Sequence, residues 1–196
     1  MPSRAFQLWT TTRRARLDEL YAAHAAVGGA NRGRRTATQQ INWSIALRIS
    51  GEFQGYARDL HDEASDELMA RTHFTTAAHE DVFRNLLNLN RKLDGGNATP
   101  SSLQEDFRRF GFTVLDEIKL GYTRGANWLK ALEQLNTARN GIAHSDAGKI
   151  AKATGGRPID LREVRRWDSS ARSLVKALDK TVAIKIAAVT SGVLPW

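Results

Sequence analysis

Arg139, Asn140 and His144 form a short constellation whose side chains suit RNA cleavage without a metal ion. A histidine moves protons near neutral pH, and an arginine holds a phosphate through its fork of donors. The 2′-hydroxyl of RNA can be the nucleophile, and an asparagine can orient the histidine or a phosphate oxygen. The pattern alone is also compatible with a surface arginine and a histidine near the negative end of a helix dipole.

The residues around this constellation predict an amphipathic helix. Apolar side chains recur at intervals of three or four residues: Trp128, Leu132, Leu135, Ala138 and Ile142. Asn140 and His144 share one face of this helix, whereas Arg139 and His144 are about 140° apart on an ideal helix. Arg139 and His144 therefore converge only if the helix bends near Gly141, or if they border a cleft shared with another chain.

Similar apolar stripes predict about six helices, and no segment shows the alternation typical of a strand. We predict helices over residues 4–26, with Leu8 on the apolar face, and over 38–71 and 76–93. A fourth begins at Ser101 or Ser102, with Glu105 completing a capping box on Ser102, and continues through Ile118. The fifth carries the constellation, and the last runs from Asp160 past Ile186.

These elements favour an all-α fold, an antiparallel helical bundle that forms one domain over residues 1–196. Within it we distinguish a basic N-terminal helix and loop, residues 1–35, and a C-terminal helix, residues 157–196. The five tryptophans are expected to anchor the core and the contacts between helices rather than to stack on bases.

Composition narrows the class of protein. The net charge is +8, and the basic residues are 21 Arg and 8 Lys, which suits a nucleic-acid partner but is also compatible with a general bias toward arginine. The absence of cysteine excludes disulfides, cysteine zinc sites and thiol catalysis. No apolar stretch is long enough to cross a membrane, and the N-terminus lacks the apolar core of a signal peptide, so we expect a cytoplasmic protein.

The segment over residues 128–149 resembles the R-x4-6-H signature of HEPN domains, of which Arg-Asn-x-Ile-Ala-His is a frequent form. Residues 41–60 also resemble the long helix of HEPN proteins from prokaryotic conflict systems, such as the RiboL-PSP type. The resemblance is specific over about twenty residues and diffuse elsewhere. Ser145 departs from the family, where glycine often follows the histidine, and this departure concerns the local backbone more than the chemistry.

The resemblance implies a helical bundle that forms a homodimer, with the two motifs meeting in a composite active site. It implies an endoribonuclease that needs no metal or cofactor and leaves a 2′,3′-cyclic phosphate. Arg139 would then bind the scissile phosphate, His144 would act as general base or acid, and Asn140 would orient the site. Such a protein would be a toxin or anti-phage effector. Its partners would be RNA, as the substrate, and an antitoxin or inhibitor protein. The alternative is a non-catalytic module that binds nucleic acid or pairs with a nucleotidyltransferase.

Further residues are weaker candidates. Lys149 and Lys152 follow the motif and would guide the RNA backbone, although a plain surface role is equally compatible with their positions. Glu52 is placed to pair with Arg48 and is a candidate to support the site indirectly. The acidic run that starts at His61 lacks a histidine pair with metal-ligand spacing, so we predict a solvated helix face there and no metal site.

Overall fold

A computed structural model describes residues 1–28, 36–190 and 192–196. Its α-helices are α1 (Arg4–Leu8), α2 (Arg14–Gly28), α3 (Thr36–Arg71), α4 (Ala77–Asn88), α5 (Lys92–Gly95), α6 (Pro100–Phe107), α7 (Val114–Gly121), α8 (Gly125–Ala143), α9 (Ala147–Thr154) and α10 (Leu161–Val189). These residues contain no β-strand, so the predicted all-α class is confirmed. The expected number of about six helices is not confirmed, because the described residues form ten α-helical segments.

Three long helices, α3, α8 and α10, pack against one another and build the core. The apolar stripe of α3 is completely buried, with zero exposure at Ile45, Ile49, Phe53, Tyr56 and Leu60. The Tyr56 hydroxyl also donates to the Val175 carbonyl oxygen at 2.9 Å, which joins α3 to α10. The regular spacing of apolar residues therefore specifies which face each long helix buries.

The predicted fourth helix is divided in two. Its N-cap is Thr99, whose hydroxyl accepts from the Ser102 backbone N–H at 3.1 Å, and Pro100 is its first residue, so the predicted Ser102 cap is wrong. A 3₁₀ turn, Arg108–Phe110, then ends at Gly111, which has φ of 86°. Glycine adopts this left-handed conformation without a Cβ clash, and α7 starts afresh at Val114. The predicted third helix likewise ends early, at Asn88, before the short α5.

The N-terminal helix contains an irregular turn. A π-helical turn, Trp9–Arg13, joins α1 to α2, and this turn changes which residues face the core. Leu8 is 45% exposed, so its predicted place on the apolar face is wrong, and Ala5 and Trp9 are buried instead. The predicted basic loop that follows this helix lies, beyond Gly28, outside the described residues.

The tryptophans act as anchors, as predicted. Trp9 and Trp167 are buried in the core, and Trp43, Trp128 and Trp196 are partly buried against it. Within the described part of the chain, no helix combines the length and apolar character needed to cross a membrane.

Candidate functional site

The constellation lies at the carboxyl end of α8. The helix continues without a break through Gly141 to Ala143. His144 is the C-cap, and the chain turns at Ser145, which has φ of 54°. The Ser145 N–H donates to the Ile142 carbonyl oxygen at 3.3 Å and the Asp146 N–H donates to that of Gly141 at 2.8 Å. These two bonds form a Schellman motif in which a serine takes the position that usually holds glycine.

Gly141 allows a close contact between two helices. A Cβ built on it would lie 2.8 Å from the Ile150 Cγ1 atom and 2.9 Å from the Ile150 backbone nitrogen. The glycine thus allows α9 to pack directly on the last turn of α8. Helix α9 was not predicted; its N-cap is Asp146, whose carboxylate accepts from the Lys149 backbone N–H at 3.0 Å.

Asn140 is the polar centre of the site. Its Oδ1 atom accepts from Nδ2 of Asn97 at 2.8 Å and from Nη1 of Arg139 at 3.2 Å. An arginine only donates, so these bonds fix which end of the Asn140 amide faces Arg139. The Asn140 Nδ2 group has no hydrogen-bond partner among the described residues.

A buried network holds Asn97 in place. The Asn136 Nδ2 group, one helical turn before Asn140, donates to the Ala98 carbonyl oxygen at 3.0 Å, and the Ser50 hydroxyl donates to the Asn136 Oδ1 atom at 3.0 Å. The Gln54 side chain donates to the Gly96 carbonyl oxygen from α3. The loop between α5 and α6 is therefore fastened to both α3 and α8, and Asn97 is a site residue that sequence reasoning missed.

His144 is exposed at the end of α8. Its backbone N–H donates to the Asn140 carbonyl oxygen at 3.1 Å, which completes the helix end. Its imidazole makes no hydrogen bond or ion pair with any described residue, and Arg139, which is half-buried, donates only to Asn140 among them. A hydrogen bond thus connects the side chains of Arg139 and Asn140. His144 lies about one helical turn after Asn140, on the same side of the helix.

The two predicted RNA-contacting lysines lie on α9. Both are exposed, and the Lys149 ammonium is 3.4 Å from the Asp146 carboxylate. Lys149 and Lys152 are one helical turn apart and share a face of α9, because residues at i and i+3 are neighbours on a helix.

Glu52 belongs to a different cluster. Its carboxylate is 3% exposed and pairs with Arg13 at 2.9 Å, Arg16 at 3.2 Å and, as predicted, Arg48 at 3.4 Å. A Cβ on Gly55 would collide with the Arg13 guanidinium, so this glycine gives the arginine its place against α3. No hydrogen bond or ion pair joins Glu52 to Arg139, Asn140 or His144, and the cluster fastens the N-terminal helix to α3.

His61 is a buried, uncharged histidine, whereas Asp62 and Asp66 of the same acidic run are exposed, as predicted for a solvated helix face. Burial and the neighbouring Arg91 guanidinium lower the pKa of His61 to about 4. Arg91 donates to the His61 Nδ1 atom at 3.1 Å, so the ring proton lies on Nε2, which is 3.3 Å from the Asp106 carbonyl oxygen. In the described ranges, no group of three or more His, Asp or Glu side chains is placed to hold a metal ion.

Comparison of the chain with family models, with curated proteins and with solved structures found no match.

Proposed function

We propose that this chain is a metal-independent endoribonuclease of the HEPN type. The observation that carries the proposal is the arrangement at the end of α8, where Asn140 binds Arg139 and the exposed His144 imidazole has no partner in the described chain. A phosphate-binding cation, an oriented amide and a proton-transfer group without a partner thus lie within about one and a half helical turns.

Each residue has a distinct role in the proposed reaction. His144 removes the proton from the 2′-hydroxyl or delivers one to the leaving 5′-oxygen, and its exposure allows contact with the substrate. Arg139 binds the scissile phosphate and stabilises the charge that develops there. Asn140 orients the Arg139 guanidinium, and its unpartnered Nδ2 donates to a phosphate oxygen. Lys149 and Lys152 contact the RNA backbone beside the site.

We propose that two chains form the complete site. On an ideal helix Arg139 and His144 would be about 140° apart, and in the described chain Arg139 donates to Asn140 and forms no hydrogen bond with His144. A homodimer that brings two α8 termini together would supply the arginine and the histidine from opposite sides of a shared cleft. In the cell, such an enzyme would act as a toxin or anti-phage effector restrained by an inhibitor protein.

The test is RNA digestion in the presence of EDTA by the wild type and by His144→Ala, with analysis of the product ends. We expect the wild type to leave 2′,3′-cyclic phosphates and His144→Ala to lose cleavage. His73→Ala, which removes another exposed histidine, is the matched control and should cleave normally. Tight RNA binding by the wild type without any cleavage would instead support a non-catalytic module.

A further inference from the structure

The exposed surface of α10 carries charge of one sign. Its acidic side chains are turned inward, with 9% exposure at Glu163, 1% at Asp168 and 8% at Asp179. By contrast, six basic residues of the helix are exposed: Arg162, Arg165, Arg166, Arg172, Lys176 and Lys180. The charges of this helix are therefore sorted between its two faces.

The buried acidic groups already have partners. Glu163 binds Arg166 at 2.5 Å, and Asp168 binds Arg14 at 2.9 Å and Arg172 at 3.2 Å. The Asp179 carboxylate accepts a hydrogen bond from the Ser3 hydroxyl.

Four cations remain that form no ion pair within the described residues: Arg162, Arg165, Lys176 and Lys180. We call these four residues the α10 stripe. They lie within about 60° of arc around the helix axis and extend over about 27 Å along it. Ser169 is the exposed residue between Arg165 and Lys176 on the same arc.

An ordinary solvated helix face alternates charges of both signs, because like charges on one face repel one another. The α10 stripe lacks such alternation. Its cations have no acidic partner within the described residues, so they can attract an external polyanion. Neutralisation of a row of phosphates by such cations releases counterions and provides affinity that does not depend on base sequence.

We propose that the α10 stripe binds the phosphate backbone of RNA outside the Arg139–His144 motif. The choice of RNA as the polyanion rests on the proposed function, whereas the cationic surface rests on the geometry of α10 alone. An anionic membrane fits less well, because a membrane-bound helix presents apolar residues beside its cations. Between Arg162 and Lys180 the apolar residues of α10 face the core instead. Exposed apolar residues, Ile184 and Leu194, border only the Lys176–Lys180 end of the stripe.

The test measures binding of a labelled single-stranded RNA by fluorescence anisotropy as a function of salt. All proteins carry His144→Ala so that the RNA stays intact. One variant changes the four residues of the α10 stripe to glutamine. The control variant changes four exposed basic residues on other elements to glutamine, which lowers the net charge equally: Arg84, Arg108, Arg124 and Lys130.

We expect the stripe variant to bind RNA at least about tenfold more weakly at moderate salt, and its log–log salt slope to fall by about three. The control variant should retain most of the affinity and the slope. Equal losses in both variants, or no loss in either, would overturn the inference. So would stripe-dependent binding to phosphatidylserine vesicles by a protein that does not bind RNA.

The two proposals fail separately. If the protein with an intact His144 does not cleave RNA but binding depends on the stripe, only the ribonuclease proposal is lost. If cleavage is normal and the stripe variant binds RNA as tightly as the control variant, only the proposed role of the α10 stripe is lost.

Discussion

The side-chain amide of Asn97 donates to Oδ1 of Asn140 at 2.8 Å, and this bond links the α5–α6 loop to the residue that also binds Arg139. Loss of the bond would free the Asn140 amide to rotate and would release Arg139 from its present position. A loop residue thus positions the site, although it lies 42 residues before Arg139 in the chain.

Asn97→Ala is expected to lower kcat for RNA cleavage about tenfold and to change KM less, because misplacement of a group in the site affects the transition state most. Asn97→Gln keeps an amide donor and should recover part of the lost rate. Steady-state kinetics on a defined RNA measures both. An Asn97→Ala enzyme with the wild-type kcat would contradict the positioning role.

Ser145→Gly is expected to stabilise the fold by about 1 kcal/mol, because Ser145 has φ of 54° and glycine adopts that conformation without a Cβ clash. Urea unfolding gives the free-energy difference. Ser145→Ala keeps the Cβ and should leave stability nearly unchanged, so the comparison separates backbone strain from loss of the hydroxyl. Destabilisation by glycine would show that the turn is not strained.

Gly141→Ala and Gly51→Ala should have opposite effects, although both add a Cβ to a helix. At Gly141 the new atom would overlap Ile150, so we expect a loss of about 1–3 kcal/mol and displacement of α9. Gly51 has nothing within 4 Å of its Cβ position, so the alanine there should add up to about 1 kcal/mol through helix propensity. Thermal unfolding measures the melting temperature of each variant relative to the wild type. Shifts of the same sign in the two variants would contradict this prediction.

The stability of the fold should fall as the pH is lowered below about 6.5, partly because of His61. The folded chain keeps the pKa of His61 at about 4, whereas the unfolded chain has the ordinary value near 6.5. Between these two pKa values the unfolded state binds more protons than the folded state. His61 alone would therefore lower the free energy of unfolding by about 3 kcal/mol at pH 4, and above neutral pH it would have no effect on stability.

His61→Phe should flatten this pH dependence, since a phenyl ring can pack against Phe107 and Phe110 without a titrating group. Urea unfolding at neutral pH and near pH 5 measures the difference. His73→Ala removes an exposed histidine and should keep the wild-type pH dependence. Identical pH profiles for wild type and His61→Phe would exclude His61 as the cause.

Glu52→Gln is expected to destabilise the fold by about 2 kcal/mol while kcat stays within about twofold. The carboxylate is buried beneath three arginines, and none of its ion pairs reaches the motif. Chemical unfolding and kinetics well below the melting temperature separate the two effects. A large selective loss of kcat in a well-folded variant would restore Glu52 as a supporting residue of the site.

The long helices could be predicted because their apolar residues recur with the helical period. The stripes of α3, α8 and α10 identify both the helices and the faces they bury. The predicted boundaries failed where a local hydrogen bond or a left-handed residue decides the structure. Thr99 rather than Ser102 caps α6, and Gly111 divides what the pattern predicts as one helix.

The motif residues could be chosen from their chemical types, but their partners could not. Asn97 reaches Asn140 only through the path of the α5–α6 loop, and nothing in the local sequence of Asn97 indicates that path. Glu52 illustrates the opposite case. The sequence predicts its bond to Arg48, four residues earlier, whereas its closer partner Arg13 lies 39 residues away.

The π-helical turn at Trp9–Arg13 sets the angle around the helix axis between the buried residues on either side of it. In a regular helix Trp9 and Leu17 would be about 80° out of phase, but one extra residue in the turn reduces this offset to about 20°. That is how both side chains reach the core, at 3% and 0% exposure. Deleting a single residue between Thr10 and Thr12 would therefore convert the turn into a regular helix in which both anchors keep nearly the same phase, whereas inserting one more residue there would rotate Leu17 by about 100° relative to Trp9 and bury only one of them.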